Sequence, residues 1–266
     1  MTANSAGAWT QNITFEGGIG ASDGISFAGS TFTQSAESSQ SGIYSAKVHF
    51  PAGDTCYDPS LTCGAYLAMP SSVGNGGELW TRVYMYFPAG WDWGDQDGTG
   101  QWRKLLRYQV DGRGRIGVGG VWPGGAATTC EIVGNTEAGN NYTYASQFTG
   151  VNFPVGRWIA VEQYVKLGTT DETSRQLIWL DGILIFDNKD IPSDNPFLGS
   201  ESDIISTVMI FTYWNGKVRT AQDAFVDNII MTTDTPSHVD ASGNKMIGPD
   251  GWLSGKRYRY LSISDN

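Results

Sequence analysis

Trp158-Ile159-Ala160-Val161-Glu162-Gln163-Tyr164-Val165-Lys166-Leu167 is the stretch on which the reading of the fold turns. Ile159, Val161, Val165 and Leu167 fall on one side of an extended chain, interrupted by Gln163. Trp158, Glu162, Tyr164 and Lys166 fall on the other. Apolar residues that alternate with polar ones have the period of a half-buried β-strand and not that of a helix. The same alternation recurs outward from this segment. It places strands over Ala46–Phe50, Leu79–Phe87, Leu105–Val110, Thr207–Trp214 and Ala224–Thr232. Leu177–Leu180 and Ile183–Phe186 flank Asp181-Gly182, a dipeptide suited to a tight hairpin turn. No long stretch carries apolar residues at helical spacing. Many short strands with turn signals between them predict an all-β sandwich of two antiparallel sheets.

The chain has 266 residues, a length that suits one large β domain. Residues 236–266 read as a C-terminal extension packed on a core of about 12–235. A net charge of −10 opposes binding to a phosphate backbone, so nucleic acid is not an expected partner. No apolar run approaches the ~18 residues of a membrane span. Cys56 and Cys63 bracket a polar loop that a disulfide could close, leaving Cys130 over. Asn12-Ile13-Thr14 and Asn141-Tyr142-Thr143 match the glycosylation triplet. Gly112-Arg113-Gly114-Arg115-Ile116-Gly117 has dinucleotide-loop spacing, but Val118-Gly119-Gly120-Val121-Trp122-Pro123 follows and cannot open a helix. We read it as glycine-rich β structure and turn.

The polar faces of these strands carry Lys47, His49, Arg82, Tyr84, Tyr86, Arg107, Gln109, Glu162, Tyr164 and Lys166. On one sheet they would make a locally basic, aromatic groove able to focus an anionic ligand. Arg103, Lys104, Arg107, Arg113 and Arg115 add to that charge.

The order of signals resembles the concanavalin-A-like jelly rolls of polysaccharide lyases, families 14 and 20, the alginate- and glucuronan-lyase type. The matching stretches are Leu79–Trp91, Lys104–Leu106, Gly156–Trp158 with Val161–Leu167, Trp179–Gly182 and Phe225–Ile230. Trp102-Arg103-Lys104-Leu105-Leu106-Arg107 departs from family 14, which has Gly-Gly-Lys-Leu-Pro-Gly there. The resemblance implies β-elimination on a uronic-acid polymer, with the protein acting as a secreted monomer. It implies a His, a Gln and a Tyr at the site, for which His49, Gln109 and Tyr213 are the candidates. Gln109 would donate to the substrate carboxylate, Tyr213 would move the proton, and His49 would assist as a partner base or orienting group. Arg82, Tyr84, Arg107, Tyr164 and Lys166 would bind substrate, with Tyr164 the rival for the catalytic tyrosine. The resemblance also implies a structural Ca²⁺ held by Glu16 and Asp227. The other reading of the same surface is a non-catalytic carbohydrate-binding module. A retaining hydrolase is disfavoured, because no Glu-x-Asp-x-x-Glu run supplies closely spaced carboxylates.

Overall fold

In the computed structural model, residues 7–20, 27–28, 31–56, 62–99, 102–111, 114–121, 125–138, 143–169, 174–188 and 202–251 are described. Among them strands and turns dominate, and there is no α-helix. Alternating chains cannot hide both faces singly, so they stack as two antiparallel sheets with their apolar faces together.

One sheet contains β1 (Thr10–Ile13), β3 (Thr33–Ser35), β4 (Ser45–Phe50), β6 (Glu78–Tyr86), β11 (Trp158–Lys166), β12 (Arg175–Leu180), β13 (Ile183–Asp187) and β15 (Gln222–Thr232). Its order is β13-β12-β11-β6-β15-β4-β3, with β1 also paired to β15. The other contains β2 (Phe27–Ala28), β5 (Ala65–Gly74), β7 (Trp102–Asp111), β8 (Gly114–Val121), β9 (Glu131–Ala138), β10 (Thr143–Asn152) and β14 (Ile204–Trp214), ordered β10-β9-β8-β7-β14-β5-β2. A short ribbon, β16 (His238–Val239) with β17 (Lys245–Met246), follows. This is the expected all-β jelly-roll sandwich. Asp181 and Gly182 both have positive φ, at 49° and 80°, the geometry the hairpin turn demands.

The sheets meet over one apolar core that runs from Val48, Val83 and Val161 on the eight-stranded side to Leu106, Val118 and Ile210 on the seven-stranded side. Three contacts fix their stacking. The Tyr108 hydroxyl donates to the Gln163 carbonyl at 3.2 Å, and Gln176 donates to the Gly117 carbonyl at 3.1 Å. Phe186 lies where a Cβ on Gly134 would be. β11, β12 and β13 therefore lie behind β7, β8 and β9.

Cys56 and Cys63 form a disulfide with Cα atoms 4.9 Å apart, while Cys130 is a buried free thiol. Closing so short a loop removes chain entropy worth roughly 2–3 kcal/mol from the unfolded state. The double variant Cys56→Ser/Cys63→Ser is expected to lose about that much stability in urea denaturation; an unchanged midpoint would show that the bridge contributes nothing. The Asn141 triplet and Arg113 lie outside the described residues, in part or whole. Asn12 is an exposed residue of β1.

Candidate functional site

The residues expected to share one groove are divided between two sheets facing opposite ways. His49, Arg82, Tyr84, Tyr164 and Lys166 lie on the outward face of the eight-stranded sheet. Arg107, Gln109 and Tyr213 lie on the outward face of the seven-stranded sheet. Alternation reports which side of a strand a residue takes, but not which sheet the strand joins. The single constellation of His49, Gln109 and Tyr213 is thereby corrected.

Much of the eight-stranded sheet's outward face is closed by the chain itself. Residues 240–250 cross it as a strap. Glu162 accepts the amides of Ile247 and Gly248 at 2.6 and 2.8 Å. Arg82 donates to the Gly248 carbonyl and to Asp250, and the Tyr84 hydroxyl accepts the Asp250 amide. Trp80 donates to the Lys245 carbonyl, and Trp179 to the Asp240 carboxylate. Trp80, Tyr164, Leu177, Trp179 and Met246 form a second apolar cluster under the strap. Tyr164 donates to Glu78, which Lys166 faces at 3.9 Å. Arg82, Tyr84 and Tyr164 are thus buried by partners from this chain, which removes them from the set of substrate contacts. Desolvation pushes the fully buried Glu162 carboxyl up to about 7.

The outward face of the seven-stranded sheet is built in three rungs across β8, β7 and β14. The first sets Lys104 between Gly119 and Tyr213. The second sets Arg107 between Gly117 and Met209, with Tyr66 of β5 beyond. The third sets Gln109 between Arg115 and Thr207. Successive rungs lie about 7 Å apart along a strand. Gln109 and Tyr213 therefore share a face but stand about 13 Å apart, the rise of four strand residues.

Two irregularities turn Lys104 and Tyr213 to this face. The β7 register shifts between Lys104 and Leu106, and that of β14 between Ile210 and Tyr213. Phe211 takes φ 53° within the second, held by packing on Phe50 and Phe87. A strained bulge beside a reactive side chain is a common way of aiming it. The Lys104 ammonium lies 4.9 Å from the centroid of the Tyr213 ring. Both side chains are half-buried.

The surroundings are cationic. Arg107 is 2% exposed and donates to Thr212, its stem crossing the space where Gly117 would carry a Cβ. Its burial makes it a support beneath the face and not an exposed grip. Arg115 donates to the Gln109 carbonyl oxygen at 3.2 Å, turning the amide nitrogen of Gln109 away from it. Arg103, by contrast, is internal: it donates to the carbonyls of Trp93, Gly94 and Asn215 and stacks at 3.7 Å on Trp214. The sequence reading omitted Lys104 from the site. Strict alternation from Leu106 assigns it to the core, and only the bulge at Leu105 overrides this.

Glu16 and Asp227 face one loop. Glu16 accepts the amides of Ile43 and Tyr44, and Asp227 accepts those of Gln40, Ser41 and Asn228. Asp227 is fully buried; desolvation raises its carboxyl above the usual range, and the charge of Glu16 adds to the rise. Gln40 and Ser41 bring side-chain oxygens to the same place through Asn228. Two carboxylates with neutral oxygens suit a hard cation, whose charge would relieve their mutual repulsion. Asp54, Cys56 and Cys63 also lie within 4.8 Å of one another, but both sulfurs are consumed by the disulfide.

No protein-family model matches the chain, and no curated protein does. Solved structures do. An endo-β-1,4-glucuronan lyase from the fungus Trichoderma reesei superposes with a TM-score of 0.57 at 11% identity, over 85% of this chain and 98% of that one. An alginate lyase from a Chlorella virus gives 0.54 at 11%, over 79% and 90%. A marine alginate lyase from Aplysia kurodai gives 0.52 at 11%, over 85% and 99%. The likeness is one of fold. At such identity it does not carry residue roles, which rest on the geometry above.

Proposed function

We propose that this protein is a polysaccharide lyase that cleaves a uronic-acid polymer by β-elimination on the outward face of the seven-stranded sheet. The observation that carries this reading is the Lys104 ammonium against the Tyr213 ring, half-exposed on a face underlain by Arg107. Elimination must first neutralise the uronate carboxylate, because the C5 proton is otherwise too weakly acidic. Lys104 supplies that charge. Tyr213 then takes the proton from C5 and delivers a proton to the leaving glycosidic oxygen. The C5–H and C4–O bonds break, and a C4–C5 double bond forms. Gln109 and Arg115, two rungs away, hold a neighbouring sugar. His49, on the opposite sheet, takes no part. The glucuronan and alginate lyases of similar fold support an acidic polysaccharide as substrate. The disulfide supports an exported protein.

The direct test incubates the protein with glucuronan, alginate and glycosaminoglycans while following the absorbance of unsaturated uronates. A rise with one polymer is expected. Binding to a polymer with no absorbance from any would replace the lyase by a carbohydrate-binding protein.

We also propose that Glu16 and Asp227 hold a structural Ca²⁺. A ligand bound only by the folded state at a hundredfold excess over its Kd adds about 2.7 kcal/mol. Chelator should then lower Tm by several degrees, with recovery on adding Ca²⁺, and Asp227→Asn should abolish the response. A Tm indifferent to chelator would sink this site.

A further inference from the structure

On the outward face of the eight-stranded sheet, beyond the strap, Trp158, Tyr86 and Phe225 occupy one rung across β11, β6 and β15. The Tyr86 ring lies 5.6 Å from that of Trp158 and 6.0 Å from that of Phe225. These rings belong to neither the main core nor the cluster under the strap. The contrast within one face is informative. Where residues 240–250 cross, Trp179 is 0% and Trp80 3% exposed. Past the strap, Phe225 is 5% exposed, but Tyr86 and Trp158 stay half-exposed although both are large rings. An open pair of aromatic rings beside a closed cluster marks a contact surface for something other than the fold.

The rim says what kind of ligand. Lys47 is paired with Glu37 and Asp223 at 2.8 and 3.1 Å, and Arg157 with Asp181 at 2.8 Å. His49 is 58% exposed and held through Nδ1 by Asp223. Each charge has an opposite partner, so the rim has no surplus field to recruit a polyanion. It offers donors and acceptors together, which is what hydroxyl groups require. The two open rings, 5.6 Å apart on neighbouring strands, offer a platform about the size of one pyranose unit.

We propose that Trp158, Tyr86 and Phe225 form a second carbohydrate site, on the face opposite Lys104 and Tyr213, that stacks on a neutral glycan. Trp158 and Tyr86 supply the platforms, Phe225 props Tyr86, and His49, Lys47 and Arg157 reach the hydroxyls. The site does not depend on the lyase reading. It would anchor the protein on neutral polysaccharide while the other face remains free.

The test titrates cellohexaose, mannohexaose and xylohexaose while following tryptophan fluorescence and heat of binding. At least one hexaose should bind wild type and Tyr213→Phe alike. Trp158→Ala and Tyr86→Ala should each weaken it at least tenfold with Tm little changed, and Trp158→Phe should recover part of the loss. Binding by none of the three, or binding that survives both alanine variants, overturns the site. A preference of this surface for uronate hexamers, kept in Tyr213→Phe, would overturn the neutral ligand.

Discussion

Tyr213→Phe is expected to lower kcat/KM for unsaturated-product formation by 10²–10⁴-fold, the usual loss when a general acid–base group is removed. Only the hydroxyl is deleted, and the ring that faces Lys104 remains, so polymer affinity and Tm should hold. Lys104→Ala is expected to cost a similar factor, because the carboxylate then keeps its full charge as the carbanion develops. Lys104→Arg should restore part of the rate by restoring the charge. His49→Ala should leave the rate unchanged, since His49 lies on the other sheet beside Asp223. Full activity in Tyr213→Phe would remove the proposed proton carrier, and a large loss in His49→Ala would mean that the wrong face has been chosen.

The second large effect concerns stability. Glu162 is fully buried, faces Arg82 across the rung, and holds two amides of the strap. Glu162→Ala leaves both strap amides without their acceptor and removes the charge that faces Arg82, and should cost about 3 kcal/mol. The charge also sets a pH dependence. The folded carboxyl sits near 7, above its ordinary 4.5, so the folded protein binds this proton more tightly than the unfolded chain. Its contribution is complete below about 4.5 and is lost as pH rises toward 7. Asp223 and Asp240, both shifted downward, act below 3.8 and leave this window clear. Asp227 is raised and shares the sign of Glu162, so the comparison must be with Glu162→Gln, which keeps the shape without the titration. Urea unfolding at pH 5 and pH 7.5 should show wild type losing more stability than Glu162→Gln over that interval. Equal slopes would show that Glu162 does not titrate there.

Much of the fold was legible. Trp158–Lys166 matches its alternation closely, Thr207–Trp214 and Ala224–Thr232 fall within β14 and β15 although bulges break the alternation of both, and Asp181-Gly182 is the turn it promised. β5 escaped because Pro70, Ser71 and Ser72 break its pattern, and β9 and β10 because Asn135, Thr136 and Thr143 make them read as loop. The site was half legible. Gln109, Arg107 and Tyr213 do share a face, but Arg82, Tyr84 and Tyr164 resembled a substrate surface because a strap of the same chain needs the same chemistry. A buried carboxylate, guanidinium and phenol can grip a peptide as well as a sugar. No local pattern separates the two uses, because the partner lies some eighty to one hundred and seventy residues away.

The shift in β7 behaves like a change of reading frame. From Leu106 onward, even-numbered residues point inward: Leu106, Tyr108 and Val110. Before it the parity reverses, and Arg103 points inward while Lys104 points out. The side chains on either side of Leu105 are thus selected under opposite rules. In a saturation scan of this strand, positions that tolerate only bulky side chains should switch from odd to even across Leu105. Deleting Leu105 should keep both facings, because Lys104 would then directly precede the inward Leu106 and plain alternation would leave the ammonium outside and the guanidinium inside. The chemistry of the face hangs on the frame of the strand, and Leu105, buried in the core, lends it no side chain.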